Sequence, residues 1–447
     1  MTAYAAADEK GDPMDEHEPR ISRSALARMT GATALGLAVA PEMASARSDR
    51  RSHHSLHRSS VLTDGRAGDV GMDADALEDA FARVARRATD GRFPGAVALV
   101  ARRGVVVGER AFGVRLAGST EATTVDTLYD LESMTKVLAT ATAAMILVDR
   151  GKISLTAPVA KYLPAFAANG KGGVLVRDLL RYSSGLPVDN SKVDTDDVAA
   201  IWAFMEQTKL EYPTGTMVEY SDLGYRLLGR MIETVAGMSL DAFAKAEIWG
   251  PLGMTDTTYN PAASLVPRCA ATGGGSLGLR TGPLRGSVQD DQDWKVGGIV
   301  GCDGAFATAR NVAIFSQMIL GGGCYGDVRV LPRKLVASMV ANQTPQVTEA
   351  ATDQDPTTNL LFTPKGYGFE LWTHRFSPGG MQLSPGSYGK SGGAGTFMWI
   401  DPKRELIAIL LTNHGLPVPF DQAGWNLLID EVAVAEFCDG VVNAVRD

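Results

Sequence analysis

The residues best suited to chemistry are Ser133 and Lys136, three apart in Leu131-Glu132-Ser133-Met134-Thr135-Lys136. On a helix, that spacing puts the hydroxyl and the amine on one face, a turn apart. A serine hydroxyl is a poor nucleophile until a neighbour takes its proton. A lysine ammonium in water cannot take it, but burial disfavours the charged form and lowers the pKa of the amine. The pair reads as a nucleophile and its base if Lys136 is desolvated. The competing reading is a capping serine beside an unrelated lysine. Histidine offers little alternative: of six, His17, His53, His54 and His57 lie in the N-terminal stretch, leaving His374 and His414 for a Ser-His-Asp arrangement.

The elements around the pair follow from periodicity. Residues 137–148 are apolar, lack Gly and Pro, and run into Asp149-Arg150-Gly151, which predicts a buried helix with a glycine just past its end. Residues 72–87 repeat apolar positions at helical spacing. Residues 95–101 and 105–107, joined by Arg102-Arg103-Gly104, predict a hairpin, as do 396–400 and 406–411 around Asp401-Pro402-Lys403-Arg404. A helix over 422–445 closes the chain. The fold class is α+β: an antiparallel sheet flanked by N- and C-terminal helices, built from 71–136 and 300–447, with a mainly helical lobe, 137–299, inserted. Sites usually lie where two such lobes meet.

Composition narrows the function. A chain of 447 residues with 45% hydrophobic content can bury a sizeable core. Its net charge of −8 argues against nucleic acid as a partner. No apolar run reaches the roughly 20 residues of a membrane-spanning helix. Cys269, Cys302, Cys324 and Cys438 show no paired spacing, so free thiols are expected rather than zinc or disulfides.

Residues 1–70 differ from the rest. A basic stretch from Arg20 to Arg28, the apolar 29–40 and Ala44-Ser45-Ala46 resemble an export signal, with Ser22 where a twin-arginine signal has its first arginine. Export to the periplasm or medium is expected. The alternative is a polar tail on a cytoplasmic enzyme. Residues 47–60 read as linker.

Two further stretches matter. Tyr220, in Glu219-Tyr220-Ser221-Asp222, sits on a loop entering a helix, where a phenol can face a cleft. Tyr388-Gly389-Lys390-Ser391-Gly392-Gly393-Ala394-Gly395-Thr396 is a glycine-rich edge feeding a strand, along which a ligand can lie. A phosphate loop is excluded there, because residue 384 is Ser rather than Gly and a strand follows. Gly274-Gly275-Ser276-Leu277-Gly278 fits a nucleophile-elbow pattern but lacks the flanking strand and helix, so a surface loop is expected.

Together, S-x-x-K, the tyrosine loop and the K-S-G edge resemble the serine β-lactamase and penicillin-binding protein superfamily. The tyrosine places them nearest class C β-lactamases, D-Ala-D-Ala carboxypeptidases and family VIII carboxylesterases. Leu128-Tyr129-Asp130, the 176–187 stretch and the 297–309 stretch extend the likeness over roughly 75–415. The resemblance implies a β-lactamase/transpeptidase-like fold, no metal or organic cofactor, and a small acyl ester or lactam as partner. It implies an acyl-enzyme on Ser133, with Lys136 and Tyr220 handling the proton; which of the two is the base stays open. Backbone N–H groups of Ser133 and Gly393 would form an oxyanion hole worth about 3–4 kcal/mol per donor. Lys390, with Ser391 and Gly392 beside it, would bind a substrate carboxylate or lower the pKa of Tyr220.

Two departures stand out. Asp222 replaces the usual Asn, exchanging an amide donor for an acceptor, and can pair with Lys136 and hold it charged. Ser391 replaces Thr and keeps the hydroxyl. The resulting expectation is a carboxylesterase for small acyl esters. The alternatives are a β-lactamase or D-Ala-D-Ala carboxypeptidase, an acyltransferase, and a non-catalytic binding homologue.

Overall fold

The computed structural model describes residues 61–189, 194–345, 364–374, 377–415 and 431–446. The signal-like stretch and the first part of the C-terminal helical region fall outside them.

A seven-stranded sheet organises these residues. Its strands are β1 (Thr63–Asp64), β2 (Gly95–Arg102), β3 (Val105–Gly113), β7 (Glu370–Leu371), β8 (Tyr388–Gly392), β9 (Thr396–Asp401) and β10 (Leu406–Thr412), in the order β1-β3-β2-β10-β9-β8-β7. Both expected hairpins are present. Every pairing is antiparallel except the edge pair β1–β3, so the sheet is mixed rather than wholly antiparallel.

Strand β2 is buried along its whole length because both sheet faces are covered. Val97, Leu99 and Ala101 enter one core, whereas Ala96, Ala98 and Val100 enter the other. β10 divides in the same way: Ile407, Ile409 and Leu411 against Leu406, Ala408 and Leu410. The second core is closed by α1 (Ala74–Thr89), capped by Asp73, and by α4 (Glu431–Asn443). These are the two terminal helices read from the sequence.

The other face carries the elements that position the nucleophile. A small sheet joins β4 (Tyr129–Asp130), β6 (Ala305–Ala307) and β5 (Thr258–Tyr259), and β4 runs directly into the nucleophile's turn. After β4 the chain forms a 3-10 turn, Glu132–Met134, then a π-helical segment, Lys136–Ala141, which continues into α2 (Thr142–Asp149). The apolar run is therefore helical and buried, but Ser133 sits on the turn before it, and the first six helical residues are wound more loosely. π-wound segments of this kind recur at functional sites. Glu132 has φ 45°, left-handed backbone that a non-glycine residue seldom adopts. That bend directs the turn carrying Ser133.

Two close approaches fix the rest. A Cβ on Gly392 would lie 2.2 Å from the Leu131 carbonyl oxygen, so only glycine lets β8 lie against the residues leading to Ser133. A Cβ on Gly301 would lie 2.0 Å from the Tyr225 carbonyl oxygen, which seats the 301–304 loop against α3 (Asp222–Ala236). No helix among the described residues is long and apolar enough to cross a membrane.

Candidate active site

Ser133, Lys136, Tyr220 and Asp222 come together. Lys136 Nζ donates to Ser133 Oγ at 2.8 Å and to the Cys302 carbonyl at 3.2 Å, and it pairs with Asp222 Oδ1 at 2.5 Å. The first two contacts are hydrogen bonds, and the third is an ion pair that sets the ammonium against a carboxylate. The Tyr220 phenol lies beside the Ser133 side chain, which influences its ionisation. Its ring lies 4.9 Å from Lys136 Nζ and stacks on Tyr182, which stacks in turn on Tyr225. Tyr182, at φ 59°, lies in the 176–187 stretch of family likeness and forms a wall of the site.

Local structure explains the arrangement. Ser221 caps α3, accepting from Gly224 N–H and donating to the Pro187 carbonyl. Tyr220 therefore lies on the loop just before α3. Asp222 is the first helical residue, where a carboxylate is favoured. Its side chain keeps 17% exposure while Lys136 has none, so Asp222 forms the solvent edge of the pair.

The structure also adds Asp303. Ser133 Oγ donates to Asp303 Oδ1 at 3.3 Å, and Lys136 Nζ lies 3.8 Å from that oxygen. Asp303 lies in the 297–309 stretch, and nothing in the sequence marked it as a partner of Ser133. Its loop is tied to the nucleophile's helix by Thr140 Oγ1, which donates to the Gly301 carbonyl, and by Thr135 Oγ1, which accepts from Ala305 N–H.

The charge state of Lys136 corrects the sequence reading. Burial does push its pKa down, but Asp222 and then Asp303 outweigh burial and hold the ammonium well above the ordinary lysine value. Lys136 is therefore a charged donor to Ser133 rather than a neutral amine waiting for a proton. Burial also pushes the Tyr220 phenol well up, reinforced by Asp222 and Asp303, so it stays protonated. Burial opposes ionisation of Asp303, yet Lys136 and Arg226 bring its carboxyl below the usual range.

Asp222, Cys302 and Asp303 offer ligand atoms within 4.8 Å of one another. The Lys136 ammonium already pairs with Asp222 and faces Asp303, so a divalent cation would compete with a cation fixed by the fold.

Behind the site, Arg226 is 1% exposed and pairs with Asp293 at 2.5 Å, Asp290 at 3.2 Å and Asp189. Arg226→Leu is expected to destabilise the fold by about 3–5 kcal/mol, because it strands the fully buried Asp293 without its counter-ion. Urea unfolding would measure this, and a loss under about 1 kcal/mol would contradict it.

The K-S-G edge lies in β8, with Gly393 in the tight turn to β9. Lys390 Nζ is 5.1 Å from the Tyr220 ring centroid, so this edge borders the nucleophile's surroundings. Thr396 Oγ1 donates to the Leu131 carbonyl, tying β9 to the segment before Ser133. Lys390, however, pairs with buried Glu370 at 2.7 Å rather than facing an open cleft.

The elbow-like Ser276 does lie in a loop, but it is buried, accepting from Asp291 N–H and facing Asp290. It is a structural hydroxyl, not an exposed one. His414 Nδ1 lies 2.8 Å from the Gly415 carbonyl, and neither it nor His374 contacts Ser133. All four cysteines are free.

A family model described as Beta-lactamase matches residues 77–433. The chain belongs to the β-lactamase family. This family member is a serine hydrolase by kinship, and its fold is the β-lactamase/transpeptidase-like one. A Salmonella typhi protein named "Putative D-alanyl-D-alanine carboxypeptidase" is 30% identical over 388 residues, spanning 79% of this chain and 86% of its own. The solved structure titled "EstCE1, a hydrolase with promiscuous acyltransferase activity" superposes with TM-score 0.65 at 19% identity, covering 82% of this chain and 99% of that one. A family VIII carboxylesterase superposes with TM-score 0.60 at 24% identity, covering 81% and 97%. Likeness to those two structures speaks for the fold alone.

Proposed function

We propose that the protein is a carboxylesterase for small acyl esters, working through an acyl-enzyme on Ser133. The observation carrying this reading is the hydrogen-bonded relay Lys136–Ser133–Asp303, which gives the hydroxyl a charged donor on one side and an ionised acceptor on the other.

Ser133 Oγ attacks the acyl carbon as its proton passes to Asp303. Lys136 stabilises the negative charge that develops around Oγ, a role its fixed ammonium fills without reorganisation. Backbone N–H groups of Ser133 and Gly393 take the oxyanion. The ester C–O bond then breaks, and the proton held by Asp303 returns to the departing alcohol through the Tyr220 hydroxyl, which leaves Tyr220 protonated and Asp303 a carboxylate again. Water repeats the sequence on the acyl-enzyme, with Asp303 again as base, and releases the acid.

Esters are favoured over amides and lactams because Asp222 stands where an amide donor would grip a substrate amide carbonyl. The named carboxypeptidase relative supports the second reading, peptide or lactam cleavage. Incubation with a p-nitrophenyl ester, a fluorescent penicillin and a fluorophosphonate, followed by peptide mapping, tests both. A burst with the ester and an adduct on Ser133, with slow or no penicillin labelling, is the expected result. Rapid penicillin labelling without ester turnover would reverse the assignment, and no adduct on Ser133 from any probe would mean a binding homologue.

Restoring an amide at residue 222 gives a further prediction. Asp222→Asn is expected to speed penicillin acylation about tenfold, the worth of one added substrate hydrogen bond. It should also change the pH profile. The raised pKa keeps Lys136 protonated through neutral and mildly alkaline pH in the wild type, and removing Asp222 weakens the cause of that rise. The variant's Lys136 therefore loses its proton at lower pH, and a new alkaline limb should appear in kcat/KM. Identical pH profiles would show that Asp222 does not hold the charge.

A further inference from the structure

The K-S-G edge is built to hold a carboxylate, and it already holds one. Lys390 Nζ donates to Glu370 Oε1 at 2.7 Å, Ser391 Oγ donates to the same oxygen at 2.8 Å, and Ser391 N–H donates to Oε2 at 3.2 Å. An ammonium, a hydroxyl and a backbone amide thus converge on a single side chain of the protein itself. Charge-assisted contacts of this kind are the strong class of hydrogen bond. Lys390 also donates to the Ser391 carbonyl. Lys390 and Glu370 are 1% and 5% exposed, so neither charge is screened by water.

The fold fixes this arrangement. Glu370 lies on the edge strand β7, in register with Gly389 of β8, one residue from Lys390. Buried Lys365, bridged to Glu370 through the backbone, adds a second positive charge beside it. Burial opposes ionisation of Glu370, but Lys390 and Lys365 bring its carboxyl below the usual range.

We propose that Glu370 is a specificity determinant: it fills the carboxylate cradle of the K-S-G edge beside Tyr220 and restricts the enzyme to esters that carry no carboxylate near the scissile bond. An incoming carboxylate would meet an ionised one in a buried setting, where like charges repel strongly. It would also find the ammonium, the hydroxyl and the amide engaged. A neutral ester needs none of those donors and loses nothing. This inference rests on the esterase reading and refines its substrate class.

The test compares p-nitrophenyl hexanoate with the mono-p-nitrophenyl ester of adipic acid, which differ by a terminal methyl against a terminal carboxylate. Both kcat/KM and the mass of the Ser133 adduct are read. The wild type is expected to prefer the neutral ester by about 100-fold or more, the scale of an uncompensated like-charge contact. Glu370→Gln should shrink that preference at least about tenfold, chiefly through KM for the anionic ester, because Lys390 and Ser391 can then accept an external carboxylate. Glu370→Gln removes a negative charge from beside two buried lysines, so the double variant Glu370→Gln/Lys365→Met serves if the single one does not fold. If neither folds, the wild-type preference decides. A wild type that turns over both esters alike, or a folded variant with an unchanged preference, would overturn the proposal. Failure of both esters to acylate Ser133 would instead remove the esterase reading, and the specificity claim with it.

Discussion

Asp303→Asn is expected to lower kcat/KM for p-nitrophenyl esters by about 10^2–10^4-fold, the usual contribution of a general base. Ser133 Oγ donates to Asp303 Oδ1, while the Lys136 ammonium donates to Ser133 and Cys302 and is ion-paired with Asp222. The proton therefore has a carboxylate to go to and no free amine. Asparagine keeps the shape and can still accept a hydrogen bond, but it does not take up the proton. The loss should fall on kcat, with KM little changed, because Asp303 acts on the reacting hydroxyl rather than on ground-state binding. Steady-state and burst kinetics would measure it, alongside thermal melting to confirm folding. A loss smaller than about tenfold would return the role of base to Lys136 or Tyr220.

The second large effect is expected from Lys136→Ala, at about 10^3–10^4-fold, comparable to removing a member of a catalytic triad. The ammonium is the charge nearest Ser133 Oγ, it is fully buried, and it separates Asp222 from Asp303. Alanine removes the donor that stabilises the developing negative charge and leaves two carboxylates facing a cavity. Stability should fall as well, since an ion-paired buried group is costly to break on one side. His374→Ala and His414→Ala, which lie outside the hydrogen-bond network of Ser133, should keep most activity. A histidine variant as damaged as Lys136→Ala would show that the network around Ser133 is not the one that works. Rates of Ser133 acylation followed by mass spectrometry give the comparison directly.

The two variants also separate two functions that the S-x-x-K pattern merges. In isolation the pattern suggests one residue to activate serine. In the fold, acceptance of the proton falls to Asp303 and stabilisation of charge to Lys136. Asp222 links the two tasks, because its pairing makes the lysine a permanent cation. Asp222, standing where the resembling families have Asn, is thus the reason a carboxylate is needed opposite it.

Tyr220 joined Ser133 and Lys136 only through the family resemblance, whereas the sequence alone specified the sheet hairpins, the terminal helices, the buried run after Ser133 and the Ser133–Lys136 spacing. These depend on signals local in the chain: strand alternation, helical periodicity, turn residues and short motifs. It also showed that Asp222 could hold Lys136 charged, because the type of residue was enough to say so. Only tertiary structure decided which charge prevailed. Burial and ion pairing shift a lysine in opposite directions, and their balance depends on distances such as the 2.5 Å to Asp222 and the 3.8 Å to Asp303. Asp303 lies 170 residues from Ser133, and Glu370 lies 20 from Lys390 on a separate strand. Asp303 falls in a stretch shared with the family and Glu370 in none, but neither local sequence names its partner, because packing of remote segments brings the charges together.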